Sequence, residues 1–150
     1  FRIPAGARDH AVEATFPVWM DVTVLGVTPH MHLLGRSMRV WAELPDKSTR
    51  PLVNVPAWDF NWQLTYTYRE PLRLPKGSRV RLVARYDNSE SNPHQPSRPP
   101  RDVVWGESTT DEMCLCFVGF TVDSEDLGLT TNARGEVVDP PGTRAASAGR

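Results

Sequence analysis

The chain has 150 residues, a formal net charge of −1 and 39% hydrophobic residues, a combination that fits one globular domain. Because the charge is near zero, nucleic acid and anionic membranes are not expected as main partners. No apolar run approaches the ~20 residues that a membrane span requires. The 14 prolines favour a loop-rich all-β chain over a helical bundle.

Alternation of apolar and polar residues predicts a series of short strands. In chain order, the predicted strands are "MDVTVLGV" (20–27), "SMRVWAEL" (37–44), "PLVNV" (51–55), "WDFNWQLTY" (58–66), "RVRLVARY" (79–86) and "MCLCFVGFTV" (113–122). Turn chemistry in "PDKS" (45–48) and in "LPKGS" (74–78) separates two pairs of them. The last strand is almost continuously apolar and is therefore predicted to be buried on both faces.

About seven to nine strands of this kind predict an all-β fold, an antiparallel β-sandwich of jelly-roll type. Residues 1–126 form the predicted domain. Residues 127–150 contain few large apolar side chains, so they are predicted to be a polar tail or linker. The polar, proline-rich segment 87–102 is predicted to be a long loop.

The only two cysteines are Cys114 and Cys116. On a strand, residues two positions apart share a face but are badly placed to bridge each other. We therefore expect no internal disulfide, and we expect buried thiols rather than metal ligands.

The segment "TPHMHLLG" (28–35) contains two of the four histidines, His30 and His32. The segment "DVTVLGVTPHMH" (21–32) is predicted to be one strand, so both histidines are expected on it. On a strand, side chains two positions apart leave the same face at about 6.6–7 Å spacing, so two imidazoles can reach one metal ion. Alternatively, the pair adds polarity to an exposed strand face and binds nothing. His10 and His94 lie in polar, loop-like surroundings and are expected to face solvent.

A metal held by two imidazoles needs a third ligand, and Met113 in "TTDEMCLCF" (109–117) is the candidate. A buried methionine is ordinarily core filler, but this one opens the most apolar predicted strand. Two imidazoles and a thioether suit copper that cycles between Cu(I) and Cu(II) better than they suit zinc or magnesium. Asp111 and Glu112 either orient the histidines through hydrogen bonds or simply form the turn that enters the strand.

"HMH", followed about eighty residues later by "TTDEMC", resembles the C-terminal domain of the copper type II ascorbate-dependent monooxygenases. The segments "WDFNWQ" (58–63) and "YDNS" (86–89) are also similar to bacterial members of that family. The resemblance implies a jelly-roll β-sandwich with one copper ion bound by His30, His32 and Met113. It also implies that O2 is activated there for hydroxylation of a substrate C–H bond.

The same resemblance implies a source of electrons, which is ascorbate, another external donor or an electron-donating partner domain. It further implies a periplasmic or secreted protein. The chain begins at Phe1 and shows no signal-like segment, so we expect a mature form or a piece of a longer protein.

The chain departs from the family at several positions. Thr28, Leu115 and Phe117 stand where the peptide-hydroxylating members place an Arg, an Asn and a Tyr that anchor the substrate carboxylate. A glycine-extended peptide is therefore not expected, and the small-molecule or peptide-like substrate stays open. Cys114 matches the family's cysteine after the methionine, but its usual partner strand, 79–86, contains no cysteine. The two remaining histidines cannot build the three-histidine copper site of the family's N-terminal domain.

Three functional hypotheses follow. The chain is the catalytic half of a copper-dependent monooxygenase, or it is a copper-binding or carrier module without turnover. In the third hypothesis it is a β-sandwich that binds no metal and stacks aromatic side chains on a ligand such as a glycan. The aromatic side chains concerned, for which core packing is the ordinary explanation, are Trp58, Phe60, Trp62 and Trp105.

Overall fold

The computed structural model describes residues 1–126 and 128–138, and within these ranges all regular secondary structure is β. The strands are β1 (Arg2–Ile3), β2 (His10–Pro17), β3 (Val22–His30), β4 (Gly35–Glu43), β5 (Thr49–Val55), β6 (Tyr66–Leu74), β7 (Arg79–Tyr86), β8 (Val103–Val104), β9 (Leu115–Val122), β10 (Thr130–Thr131) and β11 (Val137–Val138). No helix in the described ranges is long and apolar enough to cross a membrane. Of the predicted tail, residue 127 and residues 139–150 lie outside the described residues.

Two antiparallel sheets make up the sandwich, which confirms the predicted all-β fold. One sheet has the strand order β2-β7-β4-β5 and the other has the order β6-β3-β9. The inner faces of both sheets supply the buried core, which includes Val24 and Val27 of β3 and Met38 and Val40 of β4. The Tyr68 hydroxyl of β6 donates a hydrogen bond to a backbone carbonyl of β5, which ties the sheets together along that side.

Strict alternation produced the correct prediction for the central strands. In β4, Met38, Val40 and Ala42 are buried, whereas Arg39 between them is exposed. The turn between β6 and β7 also has the expected conformation, because Gly77 adopts a φ of 90°, which glycine accepts without steric cost.

The strand predicted at residues 58–66 is wrong, since β6 begins only at Tyr66. The preceding segment is a loop organised by Asp59. Its carboxylate accepts the Asn61 backbone N–H at 2.9 Å, and its carbonyl accepts the Trp62 N–H at 2.9 Å. Such local bonds of Asp and Asn compete with strand pairing, and here they prevail over the alternating aromatic residues.

The prediction that residues 113–122 form a strand buried on both faces is also wrong. β9 lies at the edge of the three-stranded sheet, and Phe117 and Phe120 are 59% and 52% exposed. The central strand of that sheet is β3. An apolar run therefore identified a strand here but not its position in the sheet.

The long loop 87–102 is anchored by Asn88, which is fully buried. Its amide nitrogen donates to the backbone carbonyls of Ile3, Pro4 and Arg101 at 3.2, 3.0 and 2.9 Å. These bonds fasten the loop to the N-terminal segment and satisfy a polar group that would be costly to bury alone.

Candidate metal centre

The two predicted histidine ligands lie side by side at one end of the sandwich. His30 is the last residue of β3, and His32 follows in the turn that leads into β4. The expectation that both lie on one strand is therefore wrong for His32. Their rings nevertheless come together, with centroids 5.1 Å apart and planes at 84°. His30 is partly exposed and His32 is buried.

The hydrogen bonds of the two rings leave one nitrogen of each available. His30 Nδ1 lies 2.6 Å from Gln63 Oε1, and His32 Nδ1 lies 3.2 Å from the backbone carbonyl oxygen of Asp111. Both partners are oxygen acceptors, so each Nδ1 carries the proton and donates it. In a neutral ring, a proton on Nδ1 leaves the lone pair on Nε2, which is the form of imidazole that binds a metal.

Aromatic side chains fix the His32 turn. Phe60 packs edge-on against the His32 ring, with centroids 6.0 Å apart, and Trp58 Nε1 donates to the His32 carbonyl at 3.1 Å. Gly35 makes this approach possible, because a Cβ there would lie 2.7 Å from Trp58 Cδ1 and 2.9 Å from Met31 Cβ. Two of the four aromatic residues in the glycan hypothesis thus support the histidines.

The other two aromatic residues of that hypothesis are exposed. Trp62 is 69% exposed and Trp105 is 53% exposed. Core packing, their ordinary explanation, therefore does not apply to either side chain.

Glu112 joins the histidine turn to the segment that contains Met113. Its side chain is fully buried. Oε2 accepts the backbone N–H groups of His32 at 2.8 Å and of Met113 at 3.0 Å, and Oε1 accepts that of Leu34 at 2.7 Å. Burial raises the pKa of Glu112 to about 7, while these N–H donors act in the opposite direction. A single carboxylate thus sets the relative position of the two segments.

The acidic pair does form hydrogen bonds with the histidine turn, which was one of the two interpretations of Asp111 and Glu112. The Asp111 backbone carbonyl, not a carboxylate, meets the His32 ring, and the Glu112 carboxylate binds backbone amides. The Glu112 backbone is itself fixed, since its N–H donates to the Val104 carbonyl at 3.2 Å and its carbonyl accepts the Gly106 N–H at 3.1 Å.

Met113 is held by its backbone from two sides. Its N–H binds Glu112, and its carbonyl accepts the hydroxyl of the buried Tyr86 at 2.8 Å. Across residues 1–126 and 128–138, no three or more His, Cys, Asp and Glu side chains cluster as a metal site would require. A third protein donor beside the two imidazoles would therefore have to be of another kind, such as the Met113 thioether.

The two cysteines remain free thiols, as expected. Burial raises the pKa of Cys114, and burial together with the neighbouring Cys114 raises that of Cys116 to about 11. Both groups are therefore neutral near pH 7, and both face the space between the sheets.

Sequence reasoning missed the residues that support the histidines. Gln63 and Phe60 belong to the segment wrongly predicted as a strand, and the polar residues between its aromatic side chains were the available signal. The contact from Tyr86 to Met113 had no local signal in the sequence.

These features define an antiparallel β-sandwich protein with a paired-imidazole candidate metal centre at one end. The chain belongs to the copper type II ascorbate-dependent monooxygenase family, because residues 9–128 match the model of that family's C-terminal domain. The matched range includes both histidines, Met113 and all seven long strands. No curated protein matches the chain.

Proposed function

We propose that this domain binds one copper ion through His30, His32 and Met113 and is the catalytic half of a copper-dependent monooxygenase that hydroxylates a substrate C–H bond. The observation that carries the proposal is the pair of adjacent imidazoles, each with Nδ1 engaged and Nε2 free. Membership of a copper monooxygenase family supports it.

The donor set fits copper. Imidazole and thioether together favour Cu(I) while still accommodating Cu(II). When bound, copper would supply O2 activation and one-electron redox chemistry. The protein's part is to orient the rings through Gln63 and the Asp111 carbonyl and to fix the spacing of the two segments through Glu112.

The surface beside His30 suggests a substrate without a carboxylate anchor. In the pairing of β3 with β9, Leu115 lies opposite His30, and Phe117 lies opposite Thr28. The Thr28 hydroxyl bonds that of Thr65 at 2.8 Å. None of these side chains carries a positive charge, so an ionised substrate carboxylate would lack a partner at these positions.

We further propose that electrons come from ascorbate or from a partner domain and that the protein works outside the cytoplasm. Family membership supports both points. The chain has four histidines, and with two in this centre it cannot supply a further three-histidine copper site.

Anaerobic Cu(I) titration against a competing chelator tests the binding step. We expect Cu(I) binding to weaken more than tenfold in each of the variants His30→Ala, His32→Ala and Met113→Ala. Loss of a residue that only hydrogen-bonds to a metal ligand already costs about 10–100-fold in affinity. Matched controls are His10→Ala, His94→Ala and Met20→Ala, which should bind as the wild type does. If Met113→Ala bound Cu(I) with unchanged affinity, Met113 would be a core side chain rather than a copper ligand, and the centre would be misassigned.

A carrier module without turnover is the second candidate function, and the lack of histidines for a second centre favours it. Oxygen uptake by the copper-loaded protein with ascorbate separates the two functions. The catalytic function predicts uptake faster than that of free copper at equal concentration. Stoichiometric copper binding with uptake no faster than free copper would contradict catalysis and leave the carrier function.

A further inference from the structure

A cleft between the sheets has none of the candidate copper ligands in its lining, although it reaches Cys114, which follows Met113, and Leu115, which pairs with His30. On one long side of the sandwich, a hydrogen bond from Tyr68 to β5 joins the two sheets. On the opposite side, no strand of the described ranges bridges β2 and β9, which are the edge strands of the two sheets. The cleft that enters there has a volume of about 670 Å³, within the ~300–1,000 Å³ typical of small-molecule sites.

The lining of this cleft is almost wholly apolar. It includes Val24, Leu74 and Leu82 from the strands. Within the described ranges, its polar side-chain groups are the Thr15 hydroxyl, the Trp19 indole N–H and the thiols of Cys114 and Cys116. No ionised side chain of the residues that the structure describes lines the space. A charged group inside would lose its hydration without gaining a partner, so the part of any ligand that enters must be uncharged.

Both ends of the cleft are capped. The crossover from β2 to β3 brings the buried Val18 to one end, and Val18 is fixed there by backbone hydrogen bonds with Ser78 and Gly77. At the other end, Cys114 lies beside the fully buried Tyr86. An added β-strand would have to continue past these caps, whereas a compact molecule fits between them.

The mouth of the cleft is aromatic. Phe16 and Trp19 are exposed and pack edge-to-face with ring centroids 5.1 Å apart, and Phe120 is exposed across the opening on β9. Aromatic rings of this kind contribute large contact areas when a ligand covers them.

We propose that the cleft between β2 and β9 binds one uncharged lipophilic molecule of drug-like size, at a site whose lining does not include His30, His32 or Met113. The closed ends, the uncharged lining and the aromatic mouth together specify this ligand class. Binding uses none of the candidate copper ligands, so it does not depend on the proposed monooxygenase function.

Titration of the full chain with the uncharged fluorophore N-phenyl-1-naphthylamine, displaced by 1-dodecanol, tests the proposal. One saturable site is expected in the wild type. Ala14→Phe places a ring in the cleft from the inner face of β2 and should weaken binding at least about tenfold, which corresponds to about 1.4 kcal/mol. The matched control is Ala11→Phe, the same change on the same strand at a position that does not line the cleft, and it should bind as the wild type does.

Alkylation of the cysteines by N-ethylmaleimide gives a second readout that does not depend on how Ala14→Phe folds. Saturating 1-dodecanol should slow alkylation of Cys114 and Cys116 several-fold, because the ligand covers both thiols. An unchanged alkylation rate, or equal fluorophore binding in Ala14→Phe and the wild type, would overturn the proposal.

Sedimentation velocity separates the small molecule from a second copy of the chain. A wild-type dimer that Ala14→Phe abolishes, without saturable fluorophore binding, would overturn the proposal and assign the cleft to self-association. Cu(I) affinity measured on both alanine-to-phenylalanine variants should equal that of the wild type, so failure of this site and failure of the copper centre are distinguishable.

Discussion

The histidine end of the sandwich has buried polar groups that are fully hydrogen-bonded, whereas the open side has apolar side chains that are loosely packed. At the histidine end, Glu112 is fully buried and both of its oxygens accept backbone N–H groups. At the open side, the cleft between β2 and β9 holds apolar side chains with space between them. At the histidine end the buried polar groups find their partners within the chain, whereas the cleft at the open side has room for a ligand.

This difference indicates where rigidity and adaptability lie. A centre that must hold two imidazoles in one geometry benefits from fixed partners, and the bonds from Glu112, Trp58 and Tyr86 provide them. In the part of the chain that the structure describes, no backbone hydrogen bond joins β2 to β9, so we expect the cleft between them to widen at low cost. Substitutions at the histidine end should therefore cost much more stability than substitutions along the open side.

The largest expected effect is that of Glu112→Ala. The change leaves three backbone N–H groups without their acceptor, at about 1–3 kcal/mol for each buried group. We expect the free energy of unfolding to fall by about 3 kcal/mol or more, measured by urea denaturation of the metal-free protein. Glu107→Ala, an exposed glutamate in the same loop, is the control and should change stability by less than about 0.5 kcal/mol. A loss below about 1 kcal/mol for Glu112→Ala would show that the carboxylate does not join the segments.

Tyr86→Phe should have the next largest effect. It removes the hydroxyl that donates to the Met113 carbonyl and leaves a part-buried acceptor unpaired, so about 1–2 kcal/mol of stability should be lost. Tyr66→Phe makes the same chemical change at an exposed tyrosine and should be neutral in the same urea titration. If both variants were equally stable, the bond to Met113 would contribute nothing.

Gln63→Ala should separate copper affinity from stability. Gln63 is exposed and orients His30 through Nδ1, so its loss should weaken Cu(I) binding about tenfold and change the free energy of unfolding by less than about 0.5 kcal/mol. Asn61→Ala, two residues earlier in the same loop, should change neither quantity. Equal Cu(I) affinity in both variants would contradict an orienting role for Gln63.

The parts of this molecule that sequence could predict are those with local causes. The alternation in β4 and β7 and the turn at Gly77 depend on neighbours in the chain, and these elements were predicted correctly. His30, His32 and Met113 were proposed from short motifs and stay a prediction. The Glu112 contact with His32 spans 80 residues, and no local pattern indicates which amides a buried carboxylate will meet.

The strand at residues 113–122 shows the limit of composition. Its apolar residues predicted burial on both faces, but β9 is an edge strand. The position of a strand in the sheet depends on which strands pair with it, and among the described strands β9 pairs only with β3. Pairing is a property of the whole chain, so an apolar run is compatible with either position. A β9 buried on both faces and a β9 at the sheet edge predict very different losses of stability when Phe117 is replaced.

Phe117→Ser gives the smallest expected effect. Phe117 is 59% exposed on the outer face of the edge strand, so its replacement should cost no more than about 0.5 kcal/mol in urea denaturation. Val27→Ala is the contrast, since Val27 is buried in the adjacent central strand and loss of its methyl groups should cost about 2 kcal/mol. A loss of about 3 kcal/mol for Phe117→Ser, the cost of truncating a buried phenylalanine, would mean that another surface covers this face. Because Phe117 lies opposite Thr28 and two residues from the position paired with His30, such a cover would also restrict substrate access to the proposed copper centre.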